Sequence, residues 1–198
     1  MNGSTREFHV KEFAGMATDA LLMTADRLLA MPADGYRYEI LRGELIQMSP
    51  AKRRHGSVGE LFGVYLGYHI ATLRLGEVYL AETGFLLTKN PDTVRAPDFA
   101  FIRQERLEQI SGNEGYIPIP PDLCMEVISP NDRPAEIEQK VRDWLDFGTR
   151  IVVVINPKTR LVSVYRSPAS IEFLTERDIL RLEELVPGWS LLLAEIFR

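Results

Sequence analysis

From His55 to about Leu75, apolar residues recur at three- and four-residue steps. Val58, Leu61, Phe62, Tyr65, Leu66, His69, Ile70 and Leu73 fall on one stripe, which predicts the longest helix of the chain. Gly59, Gly63 and Gly67 lie four apart on a second stripe, a spacing suited to close packing of a helix on a sheet. Each interior glycine weakens a helix by up to ~1 kcal/mol relative to alanine, so tertiary contacts must hold this one. Residues 133–147 predict a second helix, with Asp132 as its cap, Pro134 in its first turn and Gly148 ending it. A short helix over residues 25–30, capped by Thr24, stops at Met31-Pro32 and a turn at Asp34-Gly35.

Between these lie runs of strand character. Residues 38–41 and 44–48 flank Arg42-Gly43 and predict a β-hairpin that Ser49-Pro50 ends. Strands are expected at 77–87, 98–102 and 123–128, and the strongly β-branched 150–155 predicts a central strand. Asn156-Pro157-Lys158-Thr159 turns that strand into 160–165; 171–174 follows as an edge strand, and short elements surround Pro187-Gly188-Trp189. Residues 103–121, with a short helix at 104–110 and then many glycines and prolines, form a long connection suited to a lid or substrate-contacting loop. No period of 20 to 50 residues repeats. The pattern predicts a mixed α/β domain over residues 23–198, with helices laid against a central sheet and hairpins at both ends. Residues 1–22 read as a loosely attached leader, pairing through Phe8, Val10 and Phe13.

Composition changes this picture little. At 198 residues the chain can bury a substantial core, and 45% hydrophobic with 26% charged residues is ordinary for a globular protein. One cysteine, Cys124, excludes an internal disulfide and multi-cysteine metal sites. No apolar run approaches the roughly 20 residues of a membrane span, and the N-terminus lacks the order of a secretion signal, so the cytoplasm is expected. The net charge of −5 gives no general attraction to nucleic acid. A local basic stretch, Lys52-Arg53-Arg54-His55, can still guide a phosphate backbone.

Glu126 is the residue hardest to explain as structure. It stands inside Leu123-Cys124-Met125-Glu126-Val127-Ile128, where a carboxylate is costly unless paired, hydrogen-bonded or bound to a cation. Asp98 opens a second apolar run, Asp98-Phe99-Ala100-Phe101-Ile102. If the two strands pair there, the carboxylates converge and repel unless protonated or metal-bound. Mg²⁺ suits such a pair, because it takes oxygen ligands, keeps several waters and needs only one or two carboxylates. Glu82 is a third candidate ligand, provided its strand turns it to the same face. In the second helix, Ile137, Val141, Trp144 and Leu145 make the buried face. Lys140 lies on its rim, from where its amine can reach the carboxylates. Asp122 is a rival acid, but an extended strand sets it roughly 13 Å from Glu126.

These residues also carry a resemblance. Asp34-Gly35-Tyr36-Arg37-Tyr38-Glu39, Gly43-Glu44-Leu45, Met48-Ser49-Pro50, Glu82-Thr83-Gly84, Arg95-Ala96-Pro97-Asp98, Pro121-Asp122-Leu123, Glu126-Val127-Ile128-Ser129-Pro130 and the Lys140 helix occur in order. Together they resemble the Uma-type restriction endonuclease family of the PD-(D/E)XK nuclease superfamily, from about Met23 to Phe197. The resemblance implies a restriction-endonuclease-like core of helix, three strands, helix and strand. It implies Mg²⁺ or Mn²⁺ held by Asp98 and Glu126, with the Val127 carbonyl as a further ligand. The superfamily pattern expects lysine two residues after the glutamate, where this chain has Ile128. In related families the lysine has moved to the following helix, and Lys140 matches it.

The chemistry so implied is metal-assisted hydrolysis of phosphodiester bonds, in DNA. Lys140 would orient water or offset developing charge, with Glu39, Glu44 and His55 in support and Lys52, Arg53 and Arg54 on the substrate. A homodimer is expected by analogy with double-strand cutting. Two other readings stand beside it: a non-catalytic nucleic-acid or protein-binding module on a nuclease fold, and a hydrolase of small phosphoesters.

Overall fold

The structure is a computed structural model that describes residues 22–48, 53–110, 115–130 and 132–198. The leader expected at 1–22 therefore lies outside the described residues except for Leu22, and so do Ser49-Pro50 and Lys52. Helix α1 (Ala25–Leu29) begins at Thr24, whose hydroxyl accepts from the Arg27 amide. Strands β1 (Arg37–Leu41) and β2 (Glu44–Met48) form the expected hairpin. Arg42 and Gly43 both take positive φ, 50° and 83°, the two-residue turn whose twist matches that of paired strands.

Helix α2 (Arg53–Leu73) leads into β3 (Gly76–Leu80). The single strand expected at 77–87 is corrected here. The Thr83 amide donates back to the Leu80 carbonyl, Glu82 takes φ 85°, and the chain leaves to form β4 (Phe85–Thr88) in another sheet. Gly84 permits that departure: a Cβ there would collide with the Tyr116 ring. Strand β5 (Thr93–Arg95) follows, then β6 (Phe99–Arg103), a 3₁₀ turn (Gln104–Gln109) and β7 (Leu123–Val127). Helix α3 (Pro134–Asp146) crosses to β8 (Ile151–Asn156), and β9 (Leu161–Ser167) and β10 (Ser170–Thr175) continue outward. The N-cap of α3 is Arg133 rather than Asp132. Asp132 instead accepts from the Ser129 amide, while the Glu136 carboxylate accepts from the Arg133 amide. A small ribbon of β11 (Ile179–Arg181) and β12 (Ser190–Leu192) closes the chain.

Two sheets result. The larger has the order β10-β9-β8-β7-β6-β3, with β7 and β8 parallel across α3 and every other pair antiparallel. The smaller has the order β2-β1-β5-β4. Side-chain alternation sorts the larger sheet's residues between two layers. Phe99, Phe101, Met125, Val127 and Val153 face α2 and the C-terminal ribbon. Ala100, Ile102, Cys124, Val152 and Val154 face Val141 and Trp144 of α3. Asp98 and Glu126 belong by alternation to the α3 side. Among the described residues, no helix is long and apolar enough to cross a membrane.

The glycine stripe of α2 does face the sheet, as its spacing implies. A Cβ on Gly59 would lie 3.5 Å from Val127, on Gly63 3.4 Å from Leu80 and Phe99, and on Gly67 3.7 Å from Val78. These are ordinary contacts for one methyl group and leave no room for more. Gly67→Ala is therefore expected to stabilise the protein by about 0.5–1 kcal/mol through helix propensity. Gly67→Leu should instead cost about 1–3 kcal/mol by overpacking. Urea unfolding of both variants checks the pair; a large loss in the alanine variant contradicts this packing.

Candidate active site

β6 and β7 pair antiparallel with Phe99 opposite Met125. One step further along each strand stand Asp98 and Glu126, at the end of the ladder, so the register alone brings the two acids together. Asp98 Oδ2 accepts the Val127 amide at 2.8 Å, taking up a donor that the strand no longer bonds. The same oxygen lies 3.2 Å from His55 Nε2, at the start of α2.

Glu126 is 8% exposed, and both of its oxygens are engaged by α3. Trp144 Nε1 donates to Oε1 and Lys140 Nζ to Oε2, each at 2.9 Å. Lys140 and Trp144 are four residues apart, one turn of the helix, and so share a face. Lys140 Nζ is also 3.7 Å from Glu39 Oε1. Glu39, buried on β1, accepts from Arg95 Nη1 at 2.8 Å and from the Ala96 amide at 3.2 Å. Arg95 in turn pairs with Asp143 of α3, which Gln139 also reaches at 2.8 Å. A cleft of about 470 Å³ opens over His55, Asp98, Glu126 and Lys140, walled in part by the β1–β2 hairpin.

Burial and charge set the protonation of this cluster in opposite senses. Burial pushes Glu126 up, Lys140 pulls against it, and the nearby Asp98 and Glu39 carboxylates raise it further; the net shift is upward. Burial also works to raise Asp98, but the His55 hydrogen bond and charge, the Val127 amide and Lys140 outweigh it. Asp98 therefore holds its charge, while Glu126 is the acid that takes a proton more readily. Lys140 is lowered by burial and raised more strongly by Glu126 and Glu39, so it stays an ammonium.

Glu39, Asp98, Glu126 and Asp143 face Arg95, Lys140 and, when protonated, His55. The cluster keeps a negative excess even then. Among the described residues Asp98 Oδ1 carries no hydrogen bond, and each Glu126 oxygen retains a second acceptor position. No group of three or more His, Cys, Asp or Glu side chains among the described residues is arranged to hold a metal ion. A hard cation that keeps its waters needs only the two carboxylates, so this donor set fits Mg²⁺ or Mn²⁺ rather than a site enclosed by protein ligands.

Of the residues singled out from the sequence, the fold gathers Asp98, Glu126, Lys140, Glu39 and His55. Val127 enters through its amide, which donates to Asp98 Oδ2. Glu82 is left out, because the strand expected to carry it ends at Leu80 and the residue is exposed in a turn. Glu44, exposed opposite Leu41 in the hairpin, does not line the cleft. Arg53 and Arg54 are exposed in the first turn of α2, just before His55. Ile128 lines the cleft where a strand lysine would stand. The rival Asp122 sits at the far end of β7, held by the Arg103 amide and by the Arg103 and Arg106 guanidinium groups. Sequence reasoning missed Trp144 as a donor and Arg95 as a bridge. A buried indole N–H calls for a partner, which was the available signal for Trp144. Arg95 had none, because its role depends on β5 lying beside β1.

The family model Uma2, described as "Putative restriction endonuclease", matches residues 25–194. The fold is similar to that in a crystal structure described as "a putative nuclease belonging to DUF820" from Anabaena variabilis. The TM-score is 0.74 at 21% identity, covering 88% of this chain and 97% of that one. No curated protein matches the sequence.

Two outcomes follow from the charge network. Arg95→Met leaves Asp143 buried without its cation and Glu39 with only the more distant Lys140, and should cost about 3–5 kcal/mol in urea unfolding. The His55–Asp98 pair should make stability depend on pH. Burial lowers the His55 pKa, but Asp98 raises it more, so its contribution is complete below about pH 6.5 and lost as pH rises through the higher folded value. The lowered Asp98 contributes above about pH 4 and loses that contribution as pH falls through its folded value. The unfolding free-energy difference between the protein and His55→Gln should thus be larger at pH 5.5 than at pH 9. An equal difference at both would dismiss the pair.

Proposed function

The chain belongs to the Uma2 restriction endonuclease family, and on that footing we propose that it is a metal-dependent endonuclease hydrolysing phosphodiester bonds, with DNA as its substrate. One observation carries the reading: Asp98 and Glu126 meet at the end of adjacent strands, with the Lys140 ammonium 2.9 Å from the glutamate, at the floor of a cleft. Buried acids and a lysine that serve only stability are normally sealed by packing. Here they open onto space.

Asp98 and Glu126 are the residues that would hold Mg²⁺ or Mn²⁺, with the Val127 carbonyl as a further candidate. Such an ion supplies a Lewis acid for a phosphate oxygen and makes water a stronger nucleophile at neutral pH. Lys140, kept protonated by its two carboxylate neighbours, is a poor proton acceptor near neutrality. It therefore acts as a donor that orients water and as a fixed positive charge against the charge that develops on phosphate. Glu39 keeps Lys140 from swinging into solvent, and His55 fixes the Asp98 carboxylate. Arg53 and Arg54, one turn from the site and exposed, suit contact with the phosphate backbone on either side of the scissile bond.

Purified protein should cleave DNA in the presence of Mg²⁺ or Mn²⁺ and not in excess chelator. Glu126→Gln and Asp98→Asn should reduce cleavage to background, and Lys140→Met should lower kcat by roughly 10²–10³-fold. Activity that survives Glu126→Gln removes the site proposed here. Binding of DNA without cleavage by any metal-loaded form would favour a binding module.

A further inference from the structure

A carboxylate on a flexible glutamate can rotate about its terminal bond, and a cation held by only two carboxylates depends on both being aimed. Glu126 is aimed by two donors from one helix, and they are unequal. Lys140 reaches Oε2 with a long side chain whose amine is shared with Glu39. Trp144 reaches Oε1 with a rigid indole that is wholly buried and held edge-on by Phe85, ring centres 6.1 Å apart at 84°. The indole N–H is thus the fixed point, and the amine completes the geometry. One bond to each oxygen fixes the plane of the carboxylate and leaves each oxygen a further acceptor position.

We propose that Trp144 is a positioning residue, whose indole N–H orients the Glu126 carboxylate for the divalent cation. The inference rests on the reading of Asp98 and Glu126 as the cation's ligands. Partners that hold metal ligands in place typically change metal affinity 10–100-fold when removed. A tryptophan that serves only the core would act through its bulk, and the two roles separate by substitution. Trp144→Phe keeps an aromatic ring in the core and lacks the donor. Trp144→His loses bulk, yet its five-membered ring places Nε2–H where the indole carries its own N–H.

The experiment is Mn²⁺ binding to the full chain, followed by electron paramagnetic resonance, with urea unfolding of each variant alongside. Trp144→Phe is expected to weaken Mn²⁺ binding by about 10–100-fold, and Trp144→His to recover most of it despite a greater loss of stability. A Phe variant with native affinity, or a His variant no better than it, overturns the role of Trp144 and leaves the cation site standing. Absence of Mn²⁺ binding in the unsubstituted protein overturns the cation site and this inference with it.

A second readout needs no folded Trp144 variant. In ¹⁵N-labelled protein the Trp144 indole resonance should move in Glu126→Gln and on adding Mg²⁺. The Trp189 indole, which donates to the Tyr65 carbonyl at 3.2 Å, should stay in place as an internal reference. A Trp144 resonance indifferent to Glu126→Gln overturns the proposal.

Discussion

Placing the Glu126 carboxylate at the end of β7 costs several kcal/mol unless both its oxygens are satisfied, and much of the local architecture answers that cost. The parallel crossover from β7 through α3 to β8 lays a helix over this strand. The helix delivers Trp144 and Lys140, one turn apart, to the two oxygens. The rest of α3 must then be locked in rotation, because a shift of one residue would carry both donors away. Val141 and the Trp144 ring supply the apolar part of that lock, and Asp143, gripped by Arg95, supplies the polar part.

Arg95 also explains why a second sheet is present at the site. β1 and β5 pair with Ile40 opposite Val94, which puts Glu39 beside Arg95. Arg95 then reaches back to α3 through Asp143, while Glu39 reaches Lys140. The smaller sheet is thereby fastened to the helix that holds Glu126, and its hairpin becomes a wall of the cleft. Such a network gives geometry more than net stability, since buried ion pairs roughly balance their desolvation. Its value here lies in fixing where Lys140 can go.

The electrostatics suit a cation better than an anion at the floor of the cleft. Four carboxylates surround two permanent cations and a histidine, and burial strengthens their mutual repulsion. For the proposed function, a cation bound there would ease the entry of a phosphodiester into that field. This is the physical link between the acidic cluster and the proposed function, and it would reconcile a net charge of −5 with a nucleic-acid substrate.

Most of the elements, and the odd residue among them, were legible along the chain. Apolar periodicity marked α2, α3 and the strands, because burial imposes its period on the chain whatever the wider fold. Glu126 stood out since a charge among five apolar neighbours violates that rule, and the helical wheel placed Lys140 on the rim from which it reaches Glu126. Which acids share a site depends on how the strands pair. Asp98 joins Glu126 through the antiparallel register of β6 on β7, and Glu82 does not, because β3 ends before reaching it. Trp144 and Arg95 stayed hidden for a related reason. A hydrogen bond between residues 18 apart, or an ion pair between residues 48 apart, has no period along the chain, and only the packing of α3 against β7 and β5 brings its partners together.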